Sequence, residues 1–233
     1  MASEIPVLEL VDARAASDPD AIPAPPLSLR LMPGELALID VPDPARAAWF
    51  ADLCCGMVPL TDGIARFLGR DWARMPRDYA AALRGRVGRM FGSGGGWVDF
   101  FDLSANIMLP QLHHTRTDAT ALRASATLLS RFFGLPGLPL GRPSSLSAAD
   151  RARAGCVRAF LGEPSLLVLE NPMQGRFADL KTPLLEALAT ARGRGAAAVW
   201  LTNYGLVWGD RTFPADHRLR LHERGLVPAR RAA

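Results

Sequence analysis

The sequence predicts an α/β fold with a buried sheet and an antiparallel β part near its N-terminal end. Three short runs, Leu36-Ala37-Leu38-Ile39, Leu166-Leu167-Val168-Leu169 and Ala196-Ala197-Ala198-Val199-Trp200-Leu201-Thr202, are almost continuously apolar, as strands covered on both faces are. Helical patterns lie beside them, at Ala148 to Leu161 and at Leu180 to Arg192. By contrast, Val7-Leu8-Glu9-Leu10-Val11 and Leu27-Ser28-Leu29-Arg30-Leu31 alternate apolar and polar residues, the period of antiparallel strands with one face covered.

Along the chain, Met32-Pro33-Gly34-Glu35 is a turn before the first buried strand. The stretch Asp40-Val41-Pro42-Asp43-Pro44-Ala45-Arg46-Ala47-Ala48 follows that strand and leads into a helix through Cys55 and Gly56. Thr117 or Asp118 caps a helix carrying Leu122, Leu128, Leu129, Phe132 and Phe133, which Gly134 stops. Residues 135 to 142 are rich in Gly and Pro and form a link. Ser147 is an N-cap, and Asp150 three residues later completes a capping-box pattern for the helix Ala148 to Leu161. Gly162 and Pro164 end that helix. The strand after it delivers Glu170 and Asn171 at its C-terminal end, where open α/β sheets place their ligands.

At 233 residues the chain suits a single domain, or a domain with a subdomain, with a real core. No apolar run approaches the roughly 18 residues of a membrane span, and no charged-then-apolar leader is visible. A soluble, unexported protein is the expectation. Cys54, Cys55 and Cys156 have no metal-like spacing and read as reduced thiols. The formal charge is +4. Its basic residues are spread out, so specific nucleic-acid binding is not expected; solvated surface charge, an acidic partner or lipid headgroups account for them. Lys181 is the single lysine. His113-His114 lacks a Cys, Asp or Glu cluster and reads as loop residues rather than a metal site.

Residues 143 to 172 resemble the signature-to-Walker-B segment of ATP-binding-cassette (ABC) ATPases. In that family Leu-Ser-Gly-Gly-Gln opens an Arg- and Ala-rich helix, a Gly-x-Pro stop follows, and four apolar residues lead to Asp-Glu-Pro. Here the same frame carries Leu146-Ser147-Ala148-Ala149-Asp150 and Glu170-Asn171-Pro172. Residues 59 to 71 resemble the family's early hairpin, Val87-Gly88-Arg89-Met90-Phe91 its Q-loop strand, and residues 216 to 227 its closing hairpin. Residues 102 to 110 resemble the phrase that opens its helical subdomain, with the spacing most similar to ATPases of Mla/Mce-type lipid transporters. Residues 5 to 228 follow the family order.

The resemblance implies a P-loop NTPase (ABC ATPase) fold over 1–233, with a core lobe at 1–92 and 159–233 and a helical subdomain at about 93–158. It also implies that the sites are degenerate. Asp40 stands for the first P-loop glycine, Ala45 for the second, Arg46 for the lysine and Ala47 for the Mg2+-binding hydroxyl residue, with Ala48 beyond. Pro42 and Pro44 have no N–H to offer a phosphate, and Asp40 and Asp43 bring negative charge. Gly92 stands for the Q-loop glutamine, Asn203 for the switch histidine, and no aromatic before Trp49 stands for the adenine platform. Glu170 replaces the Walker B aspartate and can still reach a metal. Asn171 replaces the catalytic glutamate, and an amide cannot take a proton near neutrality. The D-loop region, 173 to 178, is unrecognisable. Trp97, Phe100 and Phe101 are either a docking surface for a partner helix or a cover over the subdomain.

The expectation is a non-hydrolysing or very weak cassette subunit of a membrane transporter, with lipid or phospholipid as candidate cargo. A permease and a second cassette are its expected partners, at the inner face of the cytoplasmic membrane. ATP and Mg2+ are cofactors only if the site retains residual binding. A slow ATPase or ATP sensor using Arg46 and Glu170, and a soluble scaffold outside transport, are the alternatives.

Overall fold

The computed structural model describes residues 5–16, 25–92, 95–173 and 178–229. Strands β1 (Leu8–Ala15) and β2 (Leu27–Leu31) pair antiparallel, then β3 (Leu36–Asp40) enters the core. Helix α1 (Pro44–Cys54), β4 (Leu60–Phe67), β5 (Arg70–Asp71), α2 (Arg77–Arg84) and β6 (Val87–Met90) follow. Three helices, α3 (Leu103–His114), α4 (Ala119–Phe132) and α5 (Ala148–Phe160), precede β7 (Leu166–Glu170). The chain continues through α6 (Ala178–Gly193), β8 (Ala197–Thr202), α7 (Gly205–Gly209), β9 (His217–His222) and β10 (Gly225–Pro228).

These strands form two sheets. The larger has the order β10-β9-β3-β8-β7-β6, parallel throughout except for the terminal β9–β10 hairpin. The smaller, β2-β1-β4-β5, is antiparallel.

The apolar runs are apolar because both faces of the larger sheet are covered. Ile39, Val168 and Val199 face a core shared with α1 and the antiparallel sheet. Leu38, Leu167, Leu169 and Trp200 face a second core with α3 to α6. Period-two alternation puts successive residues of one strand into different cores, so no position is left for a polar residue until the strand ends.

Two helices differ in detail from their sequence patterns. On α4 the buried positions are Leu122, Ala126 and Ser130, four residues apart, while Leu128 is 67% and Phe132 is 44% exposed. A helix of 3.6 residues per turn carries Leu128 well off the face that Leu122 and Ala126 share. Residues 74 to 86 resemble the family's linker into the Q-loop strand, yet they hold the helix α2, and α7 had no sequence signal. The D-loop residues 174 to 177, and Ser93 and Gly94, lie outside the described residues.

Helix α5 lies directly on β6. A Cβ at Gly88 would sit 1.9 Å from the Ala159 carbonyl oxygen, so glycine is required there for the backbones to approach.

Candidate functional site

At the P-loop position the chain turns from β3 into α1 within three residues. Asp43 is the N-cap; its carboxylate accepts from Ala45 N–H at 3.0 Å and from Arg46 N–H at 3.2 Å. The Ala47 N–H donates to the Asp43 carbonyl at 3.0 Å, and Pro44 has no N–H. The first-turn amides, which a bound phosphate would need, are thus all committed within the chain. No residue from 40 to 47 has positive φ, so the loop lacks the backbone curl of a phosphate nest. Asp40 is paired with Arg220 of β9 at 3.0 Å.

Arg46 does not turn toward the loop. It is buried, and its Nη2 donates to the His222 carbonyl at 3.1 Å, with the guanidinium 6.0 Å from the Trp49 ring. Its fork ties α1 to the terminal hairpin. Ala47 is buried and Ala48 half-buried, beside a small cavity of about 150 Å3 that also touches Gly92, Glu170 and Asn171. Pro42 and Ala45 are exposed.

Glu170, at the end of β7, is 4% exposed. Its Oε1 accepts from Arg89 Nε at 2.7 Å, and its Oε2 from Gly92 N–H at 3.3 Å. Arg89 also pairs through Nη1 with Asp52 of α1 and donates from Nη2 to the Ala48 carbonyl at 3.3 Å. Burial, the largest single influence, opposes the charge on Arg89, but Glu170, Cys55 and Asp52 together outweigh it and hold the guanidinium above its ordinary value. A fixed cation therefore sits among the carboxylates that could otherwise have reached a metal.

Asn171 has φ +46°, a left-handed conformation that asparagine tolerates better than most residues. Its N–H donates to the Leu201 carbonyl, and its Oδ1 accepts from the Asn203 N–H, both at 2.8 Å. The residue at the catalytic-glutamate position thus binds the backbone of the residue at the switch-histidine position, across the ends of β7 and β8.

At the signature position Ser147 Oγ accepts from Asp150 N–H at 3.0 Å and donates to Asp150 Oδ2 at 2.9 Å. Asp150 in turn pairs with Arg153 at 2.6 Å, and Arg153 pairs with Asp179 of α6. Ala148 is exposed and Leu146 and Ala149 are half-buried. The capping box is formed as its spacing suggests, and the helix end carries its own carboxylate.

Sequence reasoning passed over Arg89, Asp52 and Arg158. The available signal was an arginine inside a short strand, between Gly88 and Met90, and another in the last turn of α5. Arg158 is buried and donates to the Gly95 carbonyl and, at 2.9 Å, to the Gly96 carbonyl. Among the described residues no group of three or more His, Cys, Asp or Glu could hold a metal. His113 and His114 end α3, stacked edge to face. A magnesium triphosphate does not fit these residues: the α1 amides are taken, Ala47 offers no hydroxyl, and Arg89 holds Glu170.

No protein-family model matches the chain. It is 29% identical over 144 residues to the macrolide export ATP-binding/permease protein MacB of Nitrobacter winogradskyi, covering 61% of this chain and 22% of MacB. It is 26% identical over 150 residues to the intermembrane phospholipid transport system ATP-binding protein MlaF of Haemophilus influenzae, covering 64% of this chain and 56% of MlaF. For MlaF of Escherichia coli K12 the identity is 27%, over 64% of this chain and 55% of MlaF. The chain therefore spans about half of MlaF and a fifth of MacB. Among solved structures, the dimeric MJ0796, a bacterial ABC transporter cassette, superimposes with a TM-score of 0.80 at 16% identity, over 94% of this chain and 96% of that one. The ATP-binding subunit of another ABC transporter gives 0.78 at 17% identity, over 94% and 88%. The chain has the ABC ATPase fold and resembles ATP-binding proteins of ABC type, MlaF among them.

Proposed function

We propose that the chain is a cassette subunit of a membrane transporter that supports its assembly without hydrolysing ATP. The observation that carries this is the self-occupied P-loop position, where Asp43 and its own backbone take up the first-turn amides of α1. The Arg89–Glu170 pair supports it from the other side of the site. An intramolecular carboxylate is present at effectively high concentration, so a phosphate must displace it before gaining any interaction.

The finer reading follows from the likeness to MlaF. A permease and a second cassette, of the same or another chain, are the partners, at the inner face of the cytoplasmic membrane, and phospholipid is the candidate cargo. The described residues contain no helix long and apolar enough to cross a membrane, in keeping with a peripheral subunit. In this reading residues 93–158 form the helical subdomain that meets the permease, and the remainder forms the core lobe.

Calorimetric titration with Mg-ATP up to about 1 mM, paired with a phosphate-release assay, tests the proposal; binding at that level corresponds to roughly −4 kcal/mol. No saturable heat and no phosphate above buffer are expected. Saturable binding with steady release, abolished by Glu170→Gln, would replace this reading with that of a slow ATPase.

A further inference from the structure

A larger cavity, of about 330 Å3, lies between α5 and the segment that follows β6. It adjoins the P-loop cavity at Glu170 and Asn171, yet no residue from 40 to 48 lines it. One wall is a single face of α5 on which Arg151 and Arg158 stand seven residues apart, two turns or about 10 Å along the axis. Between them Ala152 and Gly155 leave a floor almost without side chains. The opposite wall brings the rings of Phe91 and Trp97.

The charge in this cavity is not balanced. Arg158 is 7% exposed, its guanidinium 4.1 Å from the Trp97 ring and 4.8 Å from the Phe91 ring. Its terminal nitrogens reach only the neutral carbonyls of Gly95 and Gly96, and its buried Nε has no hydrogen-bond partner among the described residues. Arg151 likewise donates to carbonyls, those of Pro143 and Leu146. Among the described residues Glu170 is the one carboxylate in the wall, and Arg89 already holds it. Burial lowers the Arg158 pKa to about 10, which leaves the group charged at neutral pH. A buried guanidinium whose hydrogen bonds go to neutral carbonyls is costly even with the attraction of Glu170, and an oxyanion with charge-assisted bonds offsets that cost.

We propose that this cavity binds a small oxyanion, through a phosphate or carboxylate group held between Arg151 and Arg158. The volume lies at the low end for small-molecule pockets, so the remainder of the ligand is small and flat enough to lie beside Trp97. No wall comes from the P-loop position, although Gly92, Glu170 and Asn171, at the Q-loop, Walker B and catalytic-glutamate positions, are part of the lining.

The test is titration of the purified full chain with inorganic phosphate, phenyl phosphate and benzoate, followed by calorimetry and tryptophan fluorescence. At least one probe should bind saturably below about 10 mM, with affinity falling at least about tenfold in both Arg151→Ala and Ala152→Phe. Ala152→Phe fills the floor and leaves both arginines in place. Tighter binding of phenyl phosphate than of inorganic phosphate marks an organic ligand; equal binding of the two marks the free ion. If the unmodified chain binds none of the three, the proposal is wrong whatever the variants do. It is equally wrong if a probe binds both variants as well as it binds the parent.

Discussion

Arg89 Nε and Glu170 Oε1 meet at 2.7 Å between neighbouring parallel strands, β6 and β7, at a point where Glu170 is 4% exposed. The pair fixes the end of β7 and, through Asp52 and Ala48, the flank of α1. A metal brought to this place would have to compete with a guanidinium that is covalently part of the chain.

Removing one member of a buried pair strands the other. Arg89→Met should destabilise the chain by about 3–5 kcal/mol, whereas Arg89→Met combined with Glu170→Leu should recover most of the loss. The half-exposed Asp52 adds little to either number. Urea unfolding of the parent, the single and the double variant measures the difference; equal losses in both variants would count against a paired role.

Asp43 caps α1 and keeps its amides occupied. Asp43→Ala should cost about 0.5–2 kcal/mol as a lost N-cap. The same change exposes the Ala45 and Arg46 amides, so added sulfate should raise the Tm of the variant by more than it raises that of the parent. A sulfate response identical in both chains would show that Asp43 does not exclude anions.

His114 gives a pH dependence of definite sign. Burial, then the neighbouring His113 and Arg84, lower its pKa from the ordinary 6.5. Between the two values the unfolded chain binds more protons, so this contribution to stability is complete above about 6.5 and is lost as pH falls through the lowered value. Replacing His114 with Gln should flatten the stability profile in that window and leave it unaltered above neutrality, as denaturant midpoints at a series of pH values will reveal.

Cys54, Cys55 and Cys156 are all buried free thiols. Burial raises all three, Cys55 and Cys156 to about 12. A thiol reagent at pH 8 should label none of them in the native chain and all three after denaturation. Because the unfolded thiols ionise first, near 9, stability should decline as pH rises past that value. Rapid native labelling would mean that α1 or α5 opens readily.

Much of the fold was legible because burial on both faces writes itself into composition. Strands β3, β7 and β8 had to be apolar at every interior position, and the caps Asp118 and Ser147 had to be small polar residues. Long side chains carried less information. Arg46 occupies the lysine position by spacing, yet its fork reaches His222, 176 residues away in sequence. Arg89 and Glu170 are 81 residues apart, and no local pattern marks one arginine among many as the partner of that carboxylate. The polar groups of the site are arranged by the strand order, which a single sequence does not state directly.

The contact at Gly88 bears on how force passes through the molecule. With no clearance between that residue and Ala159, α5 cannot slide along β6 as a lubricated layer would. The backbones of α5 and of the strand carrying Arg89 are thus in direct contact, with no side chain between them at that point to act as a cushion.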